Sequence, residues 1–79
     1  MRYEYFMKKL TKRQIEILNL LTYGKTNDEI AEELMISTHT VKKHLELIFE
    51  ILDVASRVQA TVAAIKLGYA TTDSYKIPE

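Results

Sequence analysis

Residues 37–52, with the sequence STHTVKKHLELIFEIL, decide the fold that we expect for this chain. At about 3.6 residues per turn, the apolar side chains of this stretch fall on one stripe of a helix. They are Val41, Leu45, Ile48 and Leu52. A second stripe is polar and carries His39, Lys42, Lys43 and Glu46. We therefore expect an amphipathic helix over residues 38–52, with one face in a core and the other presenting cationic and hydrogen-bonding groups.

The beginning of this helix suits an anionic partner. The first N–H groups of a helix lack intrahelical partners and lie at the positive end of its macrodipole, so they attract phosphate. His39, Lys42 and Lys43 add positive or hydrogen-bonding groups close to that end. Our leading hypothesis from the pattern is a DNA recognition helix.

The composition limits the classes of protein that fit. A chain of 79 residues fits one small domain, and without cysteine it has neither disulfides nor a thiolate zinc site. Its 11 basic and 11 acidic residues give zero net charge, which counts against a general polyanion binder. No apolar run is long enough to span a bilayer and no secretory signal is recognisable, so we expect a cytoplasmic protein without membrane contact.

Two helices precede the recognition stretch, and each begins with a capping box. Thr11 with Gln14 opens the first helix, which Gly24 ends near Tyr23. Thr26 with Glu29 opens the second helix. It ends near residue 34 or 35, only about three residues before the third helix that Ser37 caps, and such a short link forces a sharp crossing.

A fourth helix follows the recognition stretch. Asp53 tolerates the left-handed conformation that commonly closes a helix, and Val54 is a candidate core residue in the turn. Ser56, with Gln59 at the box position, opens the fourth helix and Gly68 ends it. This helix is apolar on two sides: Ala60, Ala63, Ala64 and Leu67 on one, and Val58, Val62, Ile65 and Tyr69 on the other. The second side indicates a homodimer interface, or a surface that residues 1–10 cover.

The pattern as a whole predicts an all-α, four-helix domain over residues 11–69. Residues 1–10 form an N-terminal extension, which packs on the domain, contacts a partner or is a loose tail. Residues 70–79 form a polar C-terminal tail.

Four segments carry a resemblance to a known family. They are LTKRQIEIL (10–18), GKTNDEIA (24–31), ISTHTVKKHL (36–45) and VASRVQA (54–60). In order, spacing and residue types they resemble the LuxR/GerE type of helix-turn-helix domain, over residues 10 to about 69. The short chain also resembles the stand-alone members of that family, although an excised effector domain would look the same.

The resemblance implies bacterial transcription regulation by a homodimer that binds a roughly palindromic site on double-stranded DNA, with RNA polymerase as a further possible partner. We expect no cofactor and no small-molecule ligand. The groove-facing residues carried over by position are Thr38, His39, Lys42, Lys43 and Glu46. The candidates for contact with the DNA backbone are Lys25, Thr26, Ser37, Thr40, Ser56 and Arg57. The candidates for the dimer interface are Val58, Thr61, Val62 and Ile65.

Two residues depart from the family pattern. Many members have glycine where Asp53 stands, which bears on the exit of the recognition helix. Many have a polar or basic residue where Glu46 stands, and phosphate would repel this carboxylate. Glu46 could accept a hydrogen bond from cytosine N4, remain solvated, or pair with Lys42 or Lys43.

Other candidate residues have more than one reading. Lys42 and Lys43 contact phosphate or guanine, or form a solvated pair. His39 could reach DNA, whereas His44 lies beside the core stripe and is expected to bond backbone or phosphate. Their spacing does not suit a metal site. Thr26, Ser37 and Ser56 are caps first, and Arg57 contacts phosphate or pairs with Glu16.

No catalytic constellation is present, so we expect a protein that is not an enzyme. The rival hypothesis is a protein–protein interaction module that kept the fold and lost DNA binding. The acidic second helix, Glu46, Glu50 and the aromatic N-terminus favour it. An RNA-binding role is weaker because the basic face lacks aromatic side chains on which bases could stack.

Overall fold

A computed structural model of the protein describes residues 10–68. Within that range it contains four helices and no strand. They are α1 (Lys12–Thr22), α2 (Asn27–Leu34), α3 (Thr38–Leu52) and α4 (Arg57–Lys66). The predicted all-α, four-helix architecture is confirmed, whereas our expectations for residues 1–9 and 69–79 lie outside the described residues.

The first three helices begin as the capping signals predict. The Thr11 N–H donates to Gln14 Oε1 at 2.9 Å, and the Gln14 N–H donates back to Thr11 Oγ1 at 3.1 Å. The same reciprocal pair joins Thr26 and Glu29 at 2.8 and 3.1 Å. Ser37 Oγ accepts from the Thr40 N–H at 3.0 Å and caps α3. Local spacing alone therefore fixes where α1, α2 and α3 start.

The start of α4 differs from the predicted capping box in one bond. Ser56 Oγ accepts from the Gln59 N–H at 3.1 Å, as expected. Gln59 Oε1, however, accepts from the N–H of Ala55 at 2.7 Å and not from that of Ser56. Ser56 has a φ of −148°, against −78° and −77° at Thr11 and Thr26. The more extended cap turns its own N–H away from the glutamine, so the preceding residue takes its place.

The helices end in left-handed or nearly left-handed turns. Gly24 and Gly68 follow α1 and α4, each with a φ of +85°. Asp53 closes α3 with a φ of +57°, as predicted, and Met35 closes α2 with a φ of +59°. The left-handed conformation of Met35 is unusual, because a long, unbranched side chain gains no local hydrogen bond from it.

The core lies where α1, α3 and α4 face one another, with α2 packed against α3. The whole predicted stripe of α3 is buried: Val41, Leu45, Ile48 and Leu52. Leu10, just before α1, also belongs to the core cluster. Val54 is half-buried and packs against it, as expected for a residue that fills the turn after α3. This packing buries one side of α3 and leaves its polar side exposed.

No helix among the described residues is long and apolar enough to cross a membrane.

Candidate nucleic-acid interface and dimer surface

The polar side of α3 is exposed along its length. His39, Lys42, Lys43 and Glu46 are all exposed there. Between described residues the ion pairs are Arg13 with Glu16 at 3.5 Å and Lys25 with Glu33 at 3.7 Å. Glu46 therefore forms no ion pair with Lys42 or Lys43 in this part of the chain, and that reading of its role is wrong. We call His39, Lys42, Lys43 and Glu46 together the reading face.

The first turn of α3 is tied to neighbouring residues. Thr38 is half-buried, and its Oγ1 donates to Asp28 Oδ1 of α2 at 2.9 Å. The hydroxyl oxygens of Thr40 and Ser37 lie 2.9 Å apart and share a hydrogen bond. The structure therefore sets Thr38 apart from the reading face, because its hydroxyl proton is already donated within the molecule. No pattern in the sequence signals this contact with Asp28.

Several candidates for contact with the DNA backbone surround one open depression at the start of α2. Its lining residues are Gly24, Lys25, Thr26, Asn27, Asp28, Thr38 and Arg57. Lys25 and Thr26 reach it from the loop after α1, and Arg57 reaches it from the start of α4. Ser37, Thr40 and Ser56 lie outside it. Three of the predicted backbone contacts are thus brought together, and three are not.

Arg57 makes two hydrogen bonds that span a large part of the chain. Its Nη1 donates to Asn27 Oδ1 at 2.8 Å, and its Nη2 donates to the carbonyl oxygen of Lys25 at 2.7 Å. The alternative pairing with Glu16 is wrong, since Glu16 lies against Arg13 instead. Asn27 was not among the predicted functional residues, because an asparagine just inside a helix start has no pattern that points to a distant arginine.

The two histidines occupy different environments. His39 is exposed on the reading face, as predicted. His44 is half-buried, and its Nδ1 is buried with no hydrogen-bond partner among the described residues. Nδ1 therefore makes no bond to the backbone there, and the alternative bond from His44 to phosphate stays a prediction. Residues 10–68 contain no group of three or more histidine and carboxylate side chains that could hold a metal ion.

The second apolar side of α4 is only partly available to a partner. Val58 and Val62 are 72% and 47% exposed, and Ile65 is half-buried. Thr61 is 5% exposed, and its Oγ1 donates to the carbonyl oxygen of Arg57 at 2.9 Å. Thr61 therefore faces the interior and does not belong with the other dimer candidates. A helical threonine can satisfy its hydroxyl on the preceding turn, which permits this burial.

A shallow groove runs between the exposed valines of α4 and the end of α3. Its lining residues are Leu52, Asp53, Val54, Val58, Gln59, Val62, Ala63 and Lys66. Its lining exposes more apolar than polar surface, and it includes the oppositely charged residues Asp53 and Lys66. The exposed valines thus line one groove together with the end of α3, and we call it the α4 groove.

Comparison with known proteins places the chain in a family. Residues 8–64 match the family of bacterial regulatory proteins called the luxR family. The chain is 56% identical over 55 residues to the transcriptional regulatory protein LiaR of Bacillus subtilis, covering 70% of this chain and 26% of LiaR. It is 45% identical over 60 residues to the transcriptional regulatory protein DegU of Brevibacillus brevis, covering 76% of this chain and 25% of DegU.

A third relative is similar in length to the matched region. The chain is 44% identical over 59 residues to the spore germination protein GerE of Bacillus subtilis, covering 75% of this chain and 80% of GerE. The chain thus spans about a quarter of the length of LiaR and DegU but most of GerE. From the family match and these relatives together, the chain belongs to the luxR family of bacterial regulatory proteins and carries its GerE-type helix-turn-helix domain.

Proposed function

We propose that this chain is a sequence-specific, double-stranded DNA-binding regulator of transcription that places α3 in the major groove and dimerises through α4. The observation that carries the proposal is the reading face of α3. It presents Lys42 and Lys43 to solvent without an ionic partner among the described residues, while the opposite stripe of the same helix is buried in the core.

The chemistry of the reading face suits the major groove. An α-helix fits the width of that groove, where lysine donates to guanine O6 and N7 or to the flanking phosphates. Lys42 and Lys43 lie within the first two turns of α3, close to the positive end of its macrodipole. Charge and hydrogen-bond donors are therefore concentrated at the end of the helix that would enter the groove first.

The depression at the start of α2 suits the DNA backbone. Lys25 lines the depression and would exchange its exposed ion pair with Glu33, at 3.7 Å, for a phosphate, and free N–H groups in the first turn of α2 can donate to a phosphate oxygen. The Thr26 oxygen is engaged as the cap, but capping leaves neighbouring amides available. Ser37 and Ser56 would act in the same way at the starts of α3 and α4. These contacts would position α3 without reading sequence.

The α4 groove supports the homodimer. Val58 and Val62 expose apolar surface on a helix whose other side already contributes to the core. Joining two copies along α4 would remove that surface from water and present two α3 helices to successive major-groove segments of a roughly palindromic site. We exclude Thr61 from the proposed interface because its side chain is buried within one copy.

The competing proposal is a protein-interaction module of the same fold. The observation in its favour is the exposed acidic surface of α2, where Glu29, Glu32 and Glu33 face solvent. Such a surface would suit a basic partner and would be repelled by DNA. A partner such as RNA polymerase fits both proposals, so only DNA binding separates them.

The test is an unbiased selection of duplex DNA by the purified protein at near-physiological salt, repeated with the double variant Lys42→Ala and Lys43→Ala. We expect a roughly palindromic motif, and a loss of about 2 kcal/mol or more in the double variant, which is about thirtyfold in affinity. The matched control is Lys12→Ala with Arg13→Ala, which removes the same charge from the exposed start of α1.

The control should keep the motif and most of the affinity. If the folded wild-type protein enriches no sequence, the DNA-binding proposal is wrong. If both double variants lose affinity equally, binding depends on net charge and not on the reading face.

A further inference from the structure

We infer that Arg57 is a positioning residue that locks the starts of α2 and α4 together, and not a ligand of a DNA phosphate. The inference rests on the proposed DNA-binding function and assigns Arg57 a different role from the one its family position implies. It also assigns a role to Asn27, which neither the sequence pattern nor the resemblance singles out.

The contacts of Arg57 form part of a set that joins three helices. Arg57 donates to Asn27 Oδ1 and to the Lys25 carbonyl oxygen at 2.8 and 2.7 Å. Thr38 donates to Asp28 Oδ1 at 2.9 Å. Asn27 and Asp28 are the first two residues of α2, so α4 and α3 both attach to the same turn. We call Arg57, Asn27, Asp28 and Thr38 the polar clasp.

Other bonds fix the backbone around both acceptors of Arg57. The Lys25 N–H donates to the Leu20 carbonyl oxygen at 3.2 Å, which fixes the loop after α1. Asn27 follows Thr26, whose capping box with Glu29 fixes the first turn of α2. The guanidinium therefore meets two acceptors whose residues lie on backbone that other bonds fix, although Arg57 itself orients the Asn27 side chain. A planar fork of this kind loses little freedom on binding, because its donors are themselves preorganised.

The position of the polar clasp gives it a consequence for DNA binding. Core packing joins α4 mainly to α1, whereas α2 packs against α3. Arg57 supplies a direct link between the start of α4 and the start of α2, on the side where Lys25 and Thr26 line the depression. Without that link, the loop and the first turn of α2 would be less well positioned. The groups proposed to contact the DNA backbone would then be less well placed. The same holds for α3, because Thr38 joins it to the first turn of α2.

The test separates positioning from phosphate contact by salt dependence. A residue that neutralises a phosphate contributes about 0.9 to the slope of log affinity against log salt concentration, and removing it lowers the slope by that amount. We would measure this slope on the selected duplex for Arg57→Met, Arg57→Lys and Asn27→Ala. Lys42→Ala would show that the assay detects the loss of a single contact.

If Arg57 acts by positioning, all three variants weaken binding by about tenfold, the scale of a charge-assisted hydrogen bond, with the slope unchanged. Lysine cannot replace arginine here because one ammonium cannot reach both acceptors in the same plane. The Arg57→Met, Asn27→Ala double variant should bind no more weakly than Arg57→Met alone, because Arg57→Met already removes both bonds. In the free protein, the amide resonances of residues 24–28 should shift in Arg57→Met.

Other outcomes overturn the inference. If Arg57→Met lowers the slope by about 0.9 while Arg57→Lys and Asn27→Ala bind normally, Arg57 is a phosphate ligand. If the variants lower the melting temperature but bind as tightly as wild type, the clasp serves stability alone. If the wild-type protein selects no duplex, the proposed function fails and the inference fails with it, whereas the two preceding outcomes leave the proposed function intact.

Discussion

α3 and α4 place their apolar side chains in opposite ways. α3 buries its large residues, Val41, Leu45, Ile48 and Leu52, and turns charged residues outward. α4 buries small residues, Ala60 and Ala64 among them, and leaves Val58 and Val62 exposed. The two helices belong to one core, yet the exposed side of α3 is mainly charged apart from Leu47, whereas that of α4 places Val58 and Val62 among Arg57, Gln59 and Lys66.

The difference shows what a buried stripe does and does not reveal. On α3 the large buried residues supply the packing that the core needs. The exposed polar residues are therefore available to bind a partner. On α4 the alanines satisfy the core with little side-chain volume, and the larger apolar groups lie outside it. Their exposure is unfavourable by about 25 cal/mol per Å² for a single copy in water. A second copy that covers them would remove this cost.

The largest effect that tests this comparison is on stability. Ile48→Ala removes a fully buried side chain from the centre of α3 and should lower the free energy of unfolding by about 2–5 kcal/mol. Leu47→Ala changes the adjacent residue, which is 49% exposed, and should lower it by about 1 kcal/mol or less. Urea unfolding monitored by circular dichroism measures both. Equal losses would mean that the core does not lie on the stripe described above.

The next effect concerns association. Val62→Asp should weaken self-association more than tenfold, because it introduces a charge into the apolar α4 groove. Leu47→Asp is the matched control, since Leu47 has similar exposure but lies on α3. Sedimentation equilibrium without DNA compares the two variants. If the Val62→Asp variant remains associated, or if only the Leu47→Asp variant dissociates, dimerisation does not run through α4.

Local signals predicted much of the fold, because they act within a few residues. The capping boxes at Thr11 and Thr26 and the cap at Ser37 each depend on a bond between residues three apart, which the sequence displays directly. The core stripe of α3 depends only on helical period. These signals placed α3 at its observed bounds and correctly separated its buried side from its exposed side.

The polar clasp could not be predicted in the same way. Arg57 and Asn27 are 30 residues apart, and they meet only because core packing brings the start of α4 to the start of α2. The prediction that Thr61 lies in the dimer interface was wrong for a different reason. Helical period places Thr61 between the two apolar sides of α4. A threonine that bonds its own helix can be buried like an apolar residue. Sequence therefore located the candidate surface better than it assigned roles within it.

A smaller effect would sharpen the role of the polar side of α3. A carboxylate accepts hydrogen bonds only, so Glu46 in the groove would favour the amino groups of cytosine or adenine and disfavour the acceptor edge of guanine. The glutamine amide can both donate and accept hydrogen bonds. Glu46→Gln should therefore relax the base preference at one position of each half-site by about 1 kcal/mol. Repeated duplex selection measures this change. An unaltered motif would show that Glu46 remains in solvent outside the groove.

The smallest effect concerns how the two helices end. Asp53 is the C-cap of α3, and Leu67 is the C-cap of α4 and is followed by Gly68; both Asp53 and Gly68 have positive φ. Asp53 bears two costs there: strain from its Cβ, and a negative charge at the negative end of the macrodipole of α3. Glycine at this position would relieve both, although it also gains freedom in the unfolded chain.

We therefore expect Asp53→Asn to raise the free energy of unfolding by about 0.3–0.5 kcal/mol by removing the charge, and Asp53→Gly to raise it by about 0.5–1 kcal/mol. Gly68→Ala should act in the opposite direction and lower it by about 1 kcal/mol. No atom of the described residues lies within 4 Å of a Cβ built on Gly68, so the expected loss comes from backbone strain. Thermal unfolding of the three variants tests both helix ends together. Were Asp53→Gly to destabilise the protein, the Asp53 side chain would have to stabilise the turn by more than its strain and charge cost, and the two helix ends would not be equivalent.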